Sequence, residues 1–108
     1  MNELKLKNLL GLSQRAKLLV SGNFSVHEAL KANRVKMLLV VEDASKRTVE
    51  EYKKISAEKN LPMYVVLDKE SLGQCLGKGE RTVAAILDEG FKKSIEKIIL
   101  QTSEKEKV

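Results

Sequence analysis

Three short apolar runs, each bounded by polar residues, constrain the fold of this chain more than any other feature of its sequence. They are Met37–Val41, Pro62–Leu67 and Thr82–Leu87. Continuous apolar runs of this length, rich in branched side chains, are typical of strands that are buried on both faces of a sheet. They predict three buried strands, of which the first two are expected at the centre of the sheet. The second begins with Pro62, and proline is tolerated at the first position of a strand.

Segments with a helical spacing of apolar residues lie before, between and after these runs. They predict helices over about 2–13, 25–33, 46–59, 69–76 and around 91–99, with a short strand at Ala16–Val20. Ser25 and Glu28 have the spacing of a capping box, which places the start of the second helix there. This alternation predicts an α/β fold: a three-layer αβα sandwich with a four-stranded mixed sheet and helices on both of its faces.

Length and composition favour one domain, over residues 1–100, followed by a polar C-terminal tail at 101–108 that frays. Of the 108 residues, 43% are hydrophobic, which is enough for a packed core. A single cysteine cannot form an internal disulfide, and one cysteine with one histidine cannot make a zinc site of usual spacing. With neither a signal peptide nor a membrane-length apolar run, we expect a cytoplasmic protein without a cofactor or a metal.

The net charge of +5 is concentrated in the first third of the chain. Residues 1–36 hold two acids and seven basic residues: Lys5, Lys7, Arg15, Lys17, Lys31, Arg34 and Lys36. The remainder is balanced, because 20 − 7 and 15 − 2 both leave thirteen charges. A charge excess confined to one segment indicates either a surface for a polyanion or a solvated face that keeps the protein in solution.

A turn at Ser21-Gly22-Asn23 lies inside this basic third. A glycine turn that leads into a helix offers free backbone N–H groups and the positive end of the helix dipole, both of which suit RNA phosphates. Lys17, Lys31 and Arg34 surround the turn in sequence, which favours RNA contact over an ordinary strand-to-helix connection.

No group of residues has the pattern of an active site. Cys75 lies within a helix in an apolar context and is expected to be a small buried residue. His27, the only imidazole, is expected at the surface or in contact with RNA rather than acting as a general base. The run Gly73–Gly79 fails as a phosphate loop, because three residues separate Gly73 from Gly77 and no serine or threonine follows Lys78. The chain is therefore not expected to be an enzyme.

Four stretches, taken together, resemble the L7Ae/L30e family of ribosomal proteins, whose members bind kink-turn RNA, and most closely its bacterial YlxQ-type branch. The stretches are Ala16–Gly22, Val35–Ala44, Leu72–Gly77 and Val83–Gly90, which follow family order over most of the chain. The resemblance implies the same αβα sandwich and an RNA-binding function.

The family's RNA signature, Gly-x-Asn/Lys-Glu/Gln-x-x-Lys at the start of the second helix, is only partly present. Gly22 matches, whereas Phe24, Ser25 and Glu28 depart from it. A phenylalanine cannot replace the amide's hydrogen bonds, but it can stack on a base. A second family surface is the loop at Lys78–Thr82, where Arg81 retains a cation.

These observations predict a non-catalytic, ribosomal-protein-like module that binds RNA within the translation machinery. The expected partners are structured RNA, such as ribosomal RNA or another RNA with a kinked helix, and possible ribosomal proteins, with the chain itself monomeric. The alternative is a protein-interaction module on the same fold that has lost kink-turn binding. The expected RNA contacts are Lys17, Ser21, Gly22, Asn23, Phe24, His27, Lys31, Arg34, Arg81 and Thr82.

Overall fold

The structure, a computed structural model, describes the backbone of residues 1–106 and the side chains of residues 1–101. Helices and strands alternate in the expected order along the chain. The helices are α1 (Glu3–Arg15), α2 (Asn23–Lys31), α3 (Lys46–Lys59), α4 (Lys69–Cys75) and α5 (Glu89–Glu106). The strands are β1 (Leu19–Ser21), β2 (Met37–Val40), β3 (Met63–Val65) and β4 (Val83–Ile86).

The four strands form one mixed sheet in the order β1-β4-β2-β3. β4 pairs antiparallel with β1 and β2, and β2 pairs parallel with β3. Every residue of β2 and β4 is buried, as the apolar runs predict. The prediction of a central strand at Pro62–Leu67 is wrong, because β3 pairs only with β2 and forms an edge. The side chain of Val65 on this strand is 44% exposed.

Alternate residues of the central strands divide the interior into two cores, which confirms the three-layer sandwich. Leu39 and Ile86 pack with α1, α4 and α5 on one face. Leu38 and Val83 pack with α2 and α3 on the other. Burial of each such side chain contributes about 1.5–3 kcal/mol. Because successive side chains of a strand point to opposite faces, the continuous apolar runs of β2 and β4 hold both helical layers.

The first strand begins later than expected, because α1 continues to Arg15. Two features terminate α1. The backbone N–H of Leu18 donates to the carbonyl of Ser13 at 2.9 Å, and Lys17 adopts a left-handed conformation with a φ of 62°. This is the geometry that commonly ends helices. The predicted strand at Ala16–Val20 is therefore wrong in its first half.

The second helix begins earlier than expected, at Asn23. The backbone N–H of Gly22 still donates to the carbonyl of Val83 in the sheet, while the carbonyl of Gly22 accepts the first helical hydrogen bond, from Val26. Gly22 makes this change of direction with a φ of 89° and a ψ of 152°, a conformation open only to glycine. Ser25 and Glu28 lie inside the helix, so the predicted capping box is wrong.

The last helix continues to Glu106, so the backbone of the expected tail at 101–108 is helical up to that residue. Residues 107–108 lie outside the described part of the chain, and the expectation of fraying there stays a prediction. Across the described residues, no helix combines the length and apolar character needed to cross a bilayer.

Candidate functional site

One edge of the sheet brings together the segments that the sequence singles out. The register pairs Ser21 with Ala84 and aligns Val40 with both Val65 and Val83. The carboxyl ends of β1, β2 and β3 therefore meet the amino end of β4 at one edge, which we call the Ser21 edge. The helices that follow the first three strands begin at this edge. In α/β proteins, ligands generally bind at the carboxyl ends of the strands.

A cleft of about 470 Å³ opens at the Ser21 edge, between the start of α2 and the segment before β4. We call it the α2–Arg81 cleft. Its lining residues are Ser21, Gly22, Asn23, Phe24, Ser25, Lys69, Glu80, Arg81 and Thr82. Six of the ten residues expected to contact RNA are thus brought into one cleft by the fold.

Neutral groups fix the guanidinium of Arg81 in this cleft. Its Nε donates to Ser21 Oγ at 3.2 Å, and its Nη1 donates to the carbonyl of Glu80 at 3.0 Å. Within the described residues, no carboxylate lies within ion-pair distance of Arg81. The side chain is oriented without having its charge neutralised, so it is available to an anionic ligand.

The loop Gly77–Arg81 returns along α4 and so carries Arg81 to the Ser21 edge. Gly77 starts the reversal with a φ of 68°, and Lys78 donates its backbone N–H to the carbonyl of Gly73 at 2.8 Å. At the far end, the backbone N–H of Arg81 donates to the carbonyl of Lys69 at 3.1 Å, at the first turn of α4. Halfway along, the loop passes so close to Gly73 that a side chain there would meet the backbone of Gly79.

The start of α2 differs from the other helix starts at this edge, because no side chain caps it. Ser45 Oγ caps α3, accepting from the N–H of Thr48 at 3.1 Å. Asp68 caps α4, accepting from the N–H of Ser71 at 2.7 Å. Hydrogen bonds from the backbone and the side chain of Ser71 lower the pKa of Asp68 below its usual range. With no acid in its first turn, α2 directs unoccupied N–H groups and a positive dipole end toward the cleft.

A buried tyrosine fixes the start of α2 against α3. The hydroxyl of Tyr52 donates to Asn23 Oδ1 at 2.7 Å, and His27 Nε2 lies 2.9 Å from Glu51 Oε2. Burial, with the charge of Glu51 as a smaller cause, raises the pKa of Tyr52 to about 12. Asn23 lines the cleft, but its side-chain oxygen already accepts a hydrogen bond from Tyr52. His27 faces α3 and does not line the cleft.

Three of the expected RNA contacts lie at the opposite edge of the sheet. Lys17 comes before β1, Lys31 ends α2, and Arg34 follows that helix. β1 and α2 each cross the sheet, and the nine residues of α2 span about 13 Å, so neighbours in sequence finish at opposite edges. Lys17, Lys31 and Arg34 are therefore close to the Ser21–Asn23 turn in sequence but not in the fold, and their contact with RNA stays a prediction.

Three cleft residues, Ser25, Lys69 and Glu80, are not among the expected RNA contacts. Lys69 is the first residue of α4, just after the edge strand β3. The rule that carboxyl ends of parallel strands meet at one edge, applied to β2 and β3, could have placed it there. Glu80 lies inside the loop Lys78–Thr82 that the family resemblance indicates, although the sequence gives it no role of its own.

Among the side chains of residues 1–101, the remaining chemistry-bearing residues form no second site. The thiol of Cys75 is half-buried at the end of α4 and donates to the carbonyl of Leu72 at 3.2 Å. Burial raises the pKa of this thiol, which disfavours the reactive thiolate form. In the part of the chain that the structure describes, no three histidine, cysteine, aspartate or glutamate side chains come together as a metal site.

The fold and the cleft together define a class: small αβα proteins in which an uncapped helix start faces an arginine loop across one edge of a mixed sheet. The profile of the Ribosomal protein L7Ae/L30e/S12e/Gadd45 family matches residues 4–96, and the chain belongs to this family. The resemblance seen in the sequence is thereby confirmed.

The relatives share most of their length with this chain. It is 38% identical over 86 residues to RNA-binding protein YlxQ of Bacillus subtilis (strain 168), covering 77% of this chain and 83% of that protein. It is 31% identical over 98 residues to RNA-binding protein YlxQ of Enterococcus faecium, covering 91% and 94%.

Two solved structures share the fold. The structure of a protein with unknown function from Bacillus halodurans C superposes with a TM-score of 0.83 at 30% identity, covering 88% of this chain and 96% of that one. The Giardia lamblia 15.5kD RNA binding protein superposes with a TM-score of 0.72 at 16% identity, covering 92% and 85%. The second match supports the fold alone.

Proposed function

We propose that this chain binds structured RNA through the α2–Arg81 cleft, as a non-catalytic, ribosomal-protein-like module of the translation machinery. The observation that carries the proposal is the guanidinium of Arg81, which Ser21 and backbone carbonyls hold in place without neutralising its charge. A fixed guanidinium that no carboxylate neutralises suits a phosphate, to which its Nη2 can donate charge-assisted hydrogen bonds.

Several groups in the cleft complement an RNA backbone around that contact. The free N–H groups at the start of α2 can donate to a second phosphate, and Lys69 adds a cation on the other side. The hydroxyls of Ser25 and Thr82 can bond phosphate or a ribose 2′-hydroxyl. Glu80 lines the same cleft and disfavours an anion at its own position, which restricts how the backbone can enter.

The named relatives support RNA as the partner, since both carry the name RNA-binding protein. We propose a cytoplasmic monomer bound to ribosomal RNA or to another RNA with a kinked helix, with ribosomal proteins as neighbours. Phe24, Ser25 and Glu28 are exposed on α2, where the family signature has other residues. We therefore expect the preferred RNA to differ from a standard kink-turn.

One observation favours a second function, a protein-interaction module, because the side chain of Phe24 is exposed on the cleft. An apolar patch around this ring would indicate a site for a protein partner. The other cleft residues are small, polar or charged, and Arg81 lies beside Gly22. We therefore favour RNA.

The Arg81→Ala variant is expected to weaken binding to a fluorescent hairpin RNA by roughly 10- to 100-fold, because a hydrogen-bonded charge contributes about 1.5–3 kcal/mol. Fluorescence anisotropy at several salt concentrations measures the affinity. The slope of log affinity against log salt should become shallower by about one, since one phosphate contact is lost.

Two further variants make this test specific. Arg81→Lys keeps the charge but not the planar guanidinium that Ser21 and Glu80 hold in place, so its affinity should fall between those of Arg81→Ala and the parent. Lys17→Ala removes a cation from the opposite edge and should have a much smaller effect. Equal losses for Lys17→Ala and Arg81→Ala would contradict the assignment of the cleft, and no binding at low salt would contradict RNA binding itself.

Crosslinking in cells, followed by sequencing of the bound RNA, tests the same proposal under natural conditions. We expect recovery of structured RNA, and the parent chain should recover more of it than Arg81→Ala. Recovery of proteins without RNA would favour the protein-interaction function.

A further inference from the structure

Phe24 is the most exposed large apolar side chain in the described part of the chain, with 79% of its surface open to solvent. Its exposure follows from its place on α2. Val26, Ala29 and Leu30 face the core, and Phe24 lies about 200° around the helix from Val26. The ring therefore cannot turn inward, and it forms one wall of the α2–Arg81 cleft.

The surroundings of this ring indicate what it binds. Phe24 is the one large apolar residue among the described lining residues, while Lys69 and Arg81 supply positive charge. A ligand that complements both features has a flat apolar ring attached to an anion. A nucleotide has this chemistry, since its base can stack on an aromatic ring while its phosphate meets a guanidinium.

We propose that Phe24 stacks on an unpaired nucleobase of the bound RNA, at a position where the family signature has an asparagine or a lysine. The inference rests on the proposed RNA-binding function and assigns this chain a base contact of its own. In a continuous helix both faces of each base are covered by neighbouring bases. Only a base released from the stack has a free face for the ring.

A tryptophan at this position reports the stacking directly, because the chain contains no tryptophan of its own. In Phe24→Trp, a hairpin RNA with one bulged nucleotide should quench the indole fluorescence, because a base stacked on the indole provides a direct quenching contact. The same hairpin without the bulge should quench it much less. Leu12→Trp is the matched control, since Leu12 is 49% exposed but lies toward the far end of α1.

Affinity measurements with the same two hairpins give an independent readout. Phe24→Ala should weaken binding to the bulged hairpin about 5- to 100-fold, in line with the loss of one stacked base, and should leave duplex binding nearly unchanged. Phe24→Leu keeps an apolar side chain without a ring. It should behave like Phe24→Ala if stacking is the interaction, whereas Phe24→Trp should retain affinity.

The outcomes separate this inference from the proposed function. RNA binding that needs Arg81 but is unaffected by Phe24→Ala, with no quenching in Phe24→Trp, would overturn the stacking and leave the proposed function standing. No binding of either hairpin at low salt would overturn both. A dimer of the parent chain that Phe24→Ala dissociates, seen by sedimentation, would assign the ring to a second copy and overturn the inference.

Discussion

Replacing Gly73 with alanine is expected to disrupt both the fold and the cleft. An added Cβ would lie 2.7 Å from the carbonyl carbon of Gly79 and 3.1 Å from the Cα of Glu80, and its nearest neighbour would be the carbonyl oxygen of Gly79. All three atoms belong to the backbone, so no side chain can rotate away. Overpacking of this kind costs about 1–3 kcal/mol, and urea unfolding should show a loss at the upper end of that range.

The same substitution should weaken RNA binding even in the folded fraction. The loop Gly77–Arg81 lies against α4 through this contact, so pushing the loop outward displaces Arg81 from Ser21. Gly79→Ala is the matched control, since an added Cβ there meets nothing within 4 Å. It should unfold at nearly the parent urea concentration. Equal stability of Gly73→Ala and the parent would contradict the close approach.

The second large effect is expected at Tyr52, a fully buried side chain of α3 in the core that α3 shares with α2. Tyr52→Ala should lower the free energy of unfolding by about 3–5 kcal/mol, because it leaves a cavity in the core that α2 and α3 cover. Tyr52→Phe removes only the hydroxyl that donates to Asn23 and should cost about 1 kcal/mol. Thermal or urea unfolding of both variants measures the difference.

Tyr64 provides a matched control for the link between Tyr52 and the cleft, because these are the only two tyrosines in the chain. The hydroxyl of Tyr64 donates to Glu96 Oε2 at 2.8 Å on the other face of the sheet, away from α2. Tyr64→Phe should therefore leave RNA affinity unchanged. Tyr52→Phe should reduce it modestly by loosening the start of α2, and equal affinities for the two variants would contradict this role.

The raised pKa of Tyr52 makes stability depend on pH in the alkaline range. The folded protein holds this proton up to about pH 12, whereas the unfolded chain releases it near 10. The stabilising contribution is therefore complete below pH 10 and is lost as the pH rises toward 12. In Tyr64→Phe, ultraviolet absorbance of the remaining phenol should titrate near pH 12. A titration near 10 would contradict the burial of Tyr52.

The order of helices and strands could be predicted because each buried strand is a compact apolar run between helical periods. Helix α3 was predicted with the same bounds, since Ser45 and Asn60 mark its two ends chemically. The edge position of β3 could not be predicted. Its apolar run resembles that of a central strand, and pairing partners depend on contacts that are distant in sequence.

The cleft was predictable in part. The turn pattern and the family resemblance indicate Gly22 and Arg81. The hydrogen bond between Ser21 and Arg81 could not be predicted, because it joins residues sixty positions apart. Lys17, Lys31 and Arg34 are neighbours of the turn in sequence only. Charged residues that are close in sequence can lie at opposite edges of the sheet, because each helix or strand crosses the whole sheet.

The place of β4 in the sheet has a consequence for the folding order. β4 lies between β1 and β2, so neither early strand has its antiparallel partner until residues 83–86 have been synthesised. Pairing of strands that are distant in sequence is slower than the formation of local contacts. The pairing of β4 with β1 also brings Arg81 to Ser21. We expect an incomplete chain to lack both a continuous sheet and an RNA-binding cleft. Only a nearly complete molecule would then compete for RNA.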